Sequence, residues 1–253
     1  MTPFFNGEMS MFRCLDCDFY YAAPIDKQSA AGLNRYFKEF YNSKDRIYDP
    51  RVTVGQIWRP TPIRDSLRAM YRAVHPKLDF GVGRAGEAMT MLRAQKARSL
   101  LDAGCSYGAF VRLARQCGIE AYGVEPNEEV VDVLRQCGVD AIVGGSFPDE
   151  RGPLPRYDAL TFFHVLMYIP DLSPIFFRRC REVLNSGGVL VNFCSDPRHR
   201  GQPEIDAGMR TMLVVNYTSE AFMRRVANDA GFSTYEYRAC IGEPLSCFHI
   251  LTA

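Results

Sequence analysis

From Ser99 onward, short apolar runs alternate with amphipathic stretches whose apolar residues recur at helical spacing. A strand buried on both faces reads as a short continuous apolar run, and a covering helix as a 3.6-residue period. The pattern predicts strands over Ser99–Ala103, Glu120–Val124, Ala141–Val143, Asp158–Phe163 and Val189–Cys194. Helices are predicted over Ala109–Cys117, from an Asn127 cap to Cys137, and from beyond Pro170 to Leu184. Gly118, Gly138 and the Asn185-Ser-Gly-Gly188 run stop them, as glycine does at helix C-termini. A last helix, Ser219–Ala230, ends at Gly231 and is followed by two β-like segments, Ser233–Arg238 and Ser246–Leu251. Their connection is too short for a crossover, so the last strand should insert antiparallel.

Such alternation means a mainly parallel sheet with helices on both faces. Residues 1–83 differ: they lack clean periodicity and are rich in aromatics. One helix is expected near Gln28–Tyr41 and another over Ile63–Val74, stopped by His75-Pro76. Between them, Pro50, Pro60 and Pro62 suggest an irregular connector. Gly81, Gly83 and Gly86 mark a boundary before a helix near Glu87–Ala97, dividing the chain into a covering segment, 1–83, and a main domain, 84–253.

With 253 residues, 47% of them hydrophobic, the chain can bury one large α/β core with an appendage. Thirty Lys+Arg against 29 Asp+Glu leave a net charge of +1, which gives no electrostatic reason to expect nucleic acid or a membrane surface. No window is long and apolar enough to span a bilayer, and no charged-then-apolar leader opens the chain, so a soluble cytoplasmic protein is expected. Most of the nine cysteines sit singly in apolar contexts, as small core residues do in a reducing compartment. Cys14-Leu-Asp-Cys17 is the exception.

The strongest local signal is Ser99-Leu-Leu-Asp102-Ala-Gly104-Cys-Ser-Tyr-Gly108-Ala. A buried strand, a turn of small residues and a helix start bring backbone N–H groups close to an adenosine-bearing ligand. Glu125 closes the next strand, where a carboxylate can accept hydrogen bonds from ribose hydroxyls. An exposed strand-end acid is the plainer alternative.

Together with Tyr157-Asp-Ala-Leu-Thr-Phe-Phe-His164, Ile169-Pro-Asp171-Leu and Val183-Leu-Asn-Ser-Gly187-Gly188, these blocks make residues 84–253 resemble the class I S-adenosylmethionine-dependent methyltransferases. The resemblance implies a Rossmann-like three-layer sandwich: a mainly parallel seven-stranded sheet with an antiparallel last strand, under a mostly helical N-terminal lid. It implies S-adenosyl-L-methionine as cofactor, held by Asp102, Ala103, Gly104, Ser106, Gly108, Glu125, Pro126, Ser146 and Phe147, with His164 beside the reacting methyl. Phe147 would offer a stacking face to adenine. His164 would act as a base or acceptor-orienting group, or else only shape the cofactor pocket. His199, in the loop after the fifth strand, is a second catalytic candidate, against the reading of an exposed polar loop. His249 reads as structural.

Two departures bear on this. Ser146 stands where the family often has an acid, which bears on recognition of the adenine amino group; Met167-Tyr168 stands where Glu-His is frequent, so no catalytic metal is expected. The Cys14–Cys17 segment resembles the zinc ribbon that precedes a subgroup acting on sugars and other small metabolites. It carries one Cys pair where four ligands are needed, so it is a degenerate ribbon or a site completed in a dimer. The expected function is methyl transfer to a small metabolite, first a sugar or secondary-metabolite hydroxyl, by a monomer or homodimer. The alternatives are a cofactor-binding non-catalytic partner protein and a nucleic-acid or protein methyltransferase.

Overall fold

A computed structural model describes residues 10–23, 50–58, 83–147, 155–199, 214–243 and 245–253. The helices expected near 28–41 and 63–74 lie outside the described residues. In chain order the described elements begin with a hairpin, β1 (Ser10–Arg13) and β2 (Tyr20–Ala23), and helix α1 (Pro50–Trp58). Then come α2 (Arg84–Ala94), β3 (Ser99–Ala103), α3 (Ala109–Gln116), β4 (Glu120–Glu125), α4 (Glu128–Gln136) and β5 (Ile142–Gly144). The chain continues with β6 (Tyr157–Phe163), α5 (Pro174–Glu182), β7 (Leu184–Ser195), β8 (Asn216–Tyr217), α6 (Glu220–Asp229), β9 (Thr234–Ala239) and β10 (Ser246–Thr252).

Seven strands form one sheet in the order β5-β4-β3-β6-β7-β10-β9. The first five run parallel, and β10 pairs antiparallel with both β7 and β9, as the short final connection requires. Alternation along each strand separates two cores. Leu100, Ala159, Val191, Phe193 and Phe248 face α2, α3 and α4 through Met89, Leu92, Phe110 and Leu134. Leu101, Leu160, Phe162, Leu190 and Leu251 face α5 and α6 through Phe177, Cys180, Met223 and Val226. Asn127 caps α4 as expected, its Oδ1 accepting from the N–H groups of Glu129 and Val130.

Three features differ from the sequence reading. The stretch read as a Pro-punctuated connector contains α1, because Pro50 opens the helix where its missing N–H costs nothing. The Asn185-Ser-Gly-Gly188 turn lies inside β7, whose pairing with β6 shifts register between Tyr157 and Ala159. A second sheet, β1-β2-β8, stands apart from the main one. Its β8 end is tied to the segment after β6: Val215 N–H donates to Met167 O at 2.9 Å, and Asn216 Nδ2 donates to the carbonyls of Leu166 and Ile169.

Asp158 pins the N-terminal ends of three strands. It accepts from the N–H groups of Arg98 (2.8 Å) and Ser99 (3.1 Å) and from Asn185 Nδ2 (2.8 Å). Burial pushes its pKa up, but these donors outweigh it and the net shift is downward. A depressed carboxylate stabilises above its unfolded pKa, near 4, and that stabilisation is lost as pH falls through the folded value. Asp158→Ala should therefore lower unfolding stability by about 1–3 kcal/mol at pH 7 in urea titrations, and by less near pH 3.

Candidate functional site

The turn between β3 and α3 is built from left-handed backbone at Gly104 (φ 72°), Ser106 (φ 52°) and Gly108 (φ 75°). A Cβ on Gly104 would lie 2.5 Å from Val165 Cγ2, and one on Gly108 2.2 Å from Ile142 Cδ1 and 2.9 Å from Trp58 Cζ2. The two glycines are thus required by the protein's own packing as well as by backbone geometry. Trp58, at the end of α1, donates from Nε1 to Tyr107 O at 2.9 Å and covers the turn from outside. Nothing in the sequence around Trp58 signalled that contact, which spans 49 residues.

Two buried acids flank the turn. Asp102, 3% exposed, accepts from Thr161 Oγ1 at 2.7 Å, its partner in the β3–β6 register. Burial pushes the Asp102 carboxyl up to about 7, against the Thr161 hydrogen bond and with the nearby Glu125 adding to it. Glu125, also buried, accepts from Ser106 N–H (2.8 Å) and Asn127 N–H (2.9 Å). Burial raises its pKa too, partly offset by those two donors. Neither acid forms an ion pair among the described residues. A cationic ligand entering here would be attracted by two desolvated carboxylates, and its charge would favour their ionised forms. A sulfonium bearing an ammonium group meets that requirement, and ribose hydroxyls can use the lone pairs that Glu125 has left.

The other predicted positions fall as follows. Ala103 is buried beside Asp102, while Pro126 and Ser146 are exposed at the carboxyl ends of β4 and β5. Phe147 packs edge-on against Phe162 and Phe176, at 5.7 and 6.5 Å between ring centroids. His164 follows β6 directly in left-handed backbone (φ 58°), its N–H donating to Phe193 O at 2.9 Å and its ring 4.8 Å from the Phe193 ring. His199 is exposed, with Nε2 3.7 Å from Asp196 Oδ2. That same Asp196 takes Arg198 and the Tyr237 hydroxyl, so His199 belongs to a polar knot reaching toward the β9 edge. Cys14 and Cys17 lie in the β1–β2 turn, where Cys14 N–H donates to Phe19 O.

A parallel sheet with this strand order, an antiparallel final hairpin, and a glycine turn flanked by two buried acids define a class I S-adenosylmethionine-dependent methyltransferase. A family model described as a methyltransferase domain matches residues 75–237, and the chain belongs to that family. S-adenosylmethionine is accordingly its cofactor. Among solved structures it is similar to an S-adenosylmethionine-dependent methyltransferase from Mesorhizobium loti, at 18% identity, 68% of this chain, 99% of that one and a TM-score of 0.53. A methyltransferase from Archaeoglobus fulgidus gives 15% identity, 72% of this chain, 99% of that one and a TM-score of 0.52. A Nostoc punctiforme protein provisionally assigned as an O-methyltransferase gives 19% identity over 67% of this chain and a TM-score of 0.53, and the match spans 55% of its length. At these identities the likeness shows the fold alone. No curated protein sequence matches the chain. No helix among the described residues is long and apolar enough to cross a membrane.

The raised Asp102 pKa has a consequence for stability. Between the unfolded value near 4 and the folded value of about 7, the folded state binds the extra proton, so stability falls as pH rises through that window. Asp102→Asn keeps an acceptor for Thr161 and removes the titration. Its melting temperature should exceed that of the wild type at pH 8 by several degrees, with the difference vanishing toward pH 4, while S-adenosylmethionine affinity drops at least about tenfold.

Proposed function

We propose that this methyltransferase transfers the methyl group to a hydroxyl of a small metabolite, a sugar or secondary metabolite, and that the cofactor lies across the Gly104–Gly108 turn. The observation that carries the cofactor placement is the pair of buried, raised-pKa acids at the ends of adjacent strands, neither of them in an ion pair among the described residues. In this reading Asp102 faces the methionine ammonium, Glu125 accepts from the ribose, and the strand ends at Pro126, Ser146 and Phe147 border the adenine.

The small-acceptor part rests on what surrounds the turn. Trp58 closes over it, and β8, paired with the N-terminal hairpin, buttresses the segment that follows His164. In this reading residues 10–23 and 50–58 belong to a lid on the main domain. A covered site, in a chain whose overall net charge is only +1, suits a compact acceptor better than a nucleic acid or an extended protein surface.

When bound, the cofactor would supply an electrophilic methyl on a sulfonium, with the neutral thioether as leaving group. His164 stands at the carboxyl end of β6, where its ring nitrogen takes the hydroxyl proton as the new C–O bond forms. Exclusion of water by the lid and fixed alignment supply the remaining acceleration.

Calorimetric titration with S-adenosylmethionine should give saturable binding that Glu125→Ala weakens at least about tenfold, and unchanged binding would overturn the site. His164→Ala should lower kcat on an accepted hydroxyl substrate by roughly 10²–10⁴-fold and remove the acidic limb of the pH profile. A change confined to KM for the cofactor would leave His164 a pocket residue only.

A further inference from the structure

The sheet buries a second set of reactive side chains on the face covered by α6. Cys194 on β7 stands directly opposite Cys247 on β10, and their Sγ atoms are 3.8 Å apart. His249, two residues along β10, brings Nε2 to 3.6 Å from Cys247 Sγ. The three ligand atoms all lie within 4.8 Å of one another, and all three residues are buried. From α6's N-terminal approach, Thr218 Oγ1 reaches 3.4 Å from Cys194 Sγ.

We propose that Cys194, Cys247 and His249 form a site for one zinc ion, with the Thr218 hydroxyl as the fourth donor. Four observations carry it. First, three edges fit, the Cys194–Cys247, Cys247–His249 and Cys194–Thr218 distances: Zn–S bonds of about 2.3 Å and Zn–N bonds of about 2.0 Å at tetrahedral angles put two sulfurs about 3.8 Å apart and sulfur about 3.5 Å from nitrogen or oxygen. Second, the other imidazole nitrogen is already engaged, with His249 Nδ1 2.8 Å from the Tyr235 hydroxyl. With Nδ1–H donating to that oxygen, Nε2 carries its lone pair toward the sulfurs, which is the usual outer-shell support of a metal-bound imidazole. Third, Asn192, in register with His249 on the same face and fully buried, has both Oδ1 and Nδ2 without a hydrogen-bond partner. A buried amide of that kind is costly, and it marks this face as polar beyond what the described residues satisfy. Fourth, charge decides the metal. Two thiolates and a neutral imidazole around Zn²⁺ sum to zero, which a buried site tolerates, whereas a monovalent soft ion would leave an excess negative charge. Binding releases the two thiol protons to solvent and involves no redox change.

The N-terminal Cys pair must be separated from this site, so the test uses the full chain carrying Cys14→Ser and Cys17→Ser. Reduced, chelator-stripped protein of this background is titrated with Zn²⁺ alone, or with Co²⁺ as a spectroscopic probe. One equivalent should bind, Co²⁺ should show sulfur-to-metal charge transfer, and zinc-edge X-ray absorption should resolve two sulfurs with nitrogen and oxygen. In that background Cys247→Ser and His249→Ala should each weaken binding at least about a hundredfold, with circular dichroism checking that they fold. The X-ray absorption result stands on the unmutated core if they do not. Absence of bound zinc and of the charge-transfer band in the Cys14→Ser/Cys17→Ser protein would overturn the proposal, leaving a chain of thiol hydrogen bonds.

Discussion

The β3–α3 turn is fastened to the neighbouring strand by its own backbone. Gly104 N–H and Cys105 N–H both donate to Val124 O, at 2.8 and 3.2 Å, and Ser106 N–H donates to the Glu125 side chain. Each such bond contributes only about 1 kcal/mol net. Together they lock the turn to β4 in one register, and that register brings Glu125 beside the turn while the β3–β6 pairing sets Asp102 against Thr161. A slip of one residue would send Asp102 to the α5/α6 face among Leu160 and Phe162, away from Thr161. The site is a property of strand register before it is a property of side chains.

That dependence explains what was legible in the sequence. The βα units from Ser99 to Cys194 could be read because each is a local pattern, an apolar run and then a helical period punctuated by glycine. The placement of Asp102 and Glu125 beside the turn could be read because the segment that positions them is contiguous or nearly so. Thr161 could not: a threonine within an apolar strand carries no sign that a carboxylate will face it. The same holds for Trp58, which reaches Gly108 across the fold, and for β8, two residues long and paired with a hairpin nearly two hundred positions earlier. Cys194 and Cys247 read as ordinary core cysteines, since only the antiparallel register of β10 makes them neighbours.

The turn also shows how packing fixes residues that the proposed cofactor site needs. Gly104 and Gly108 would be expected to be small for the ligand's sake, yet Val165, Ile142 and Trp58 already fill the space a Cβ would need. A rigid turn walled by protein keeps its N–H groups and acids in place before any ligand arrives, which lowers the ordering cost of binding. Rigidity here comes at the expense of two desolvated carboxylates, the arrangement under which a folded protein is least content without its cation.

Strain links the halves of the sheet. Ser106 and His164 adopt left-handed backbone without being glycine, a conformation that costs each roughly 1–2 kcal/mol. Each is offset by a hydrogen bond from its own N–H: Ser106 to Glu125, His164 to Phe193 O. The acceptor for His164 therefore belongs to β7, and the next residue on β7 is Cys194. A tetrahedral metal joining Cys194 to Cys247 and His249 would hold β7 and β10 together at the very point whose carbonyl fixes the His164 backbone. The thiol–imidazole cluster and the His164 backbone would then be mechanically one structure, reached from opposite faces of the same strand.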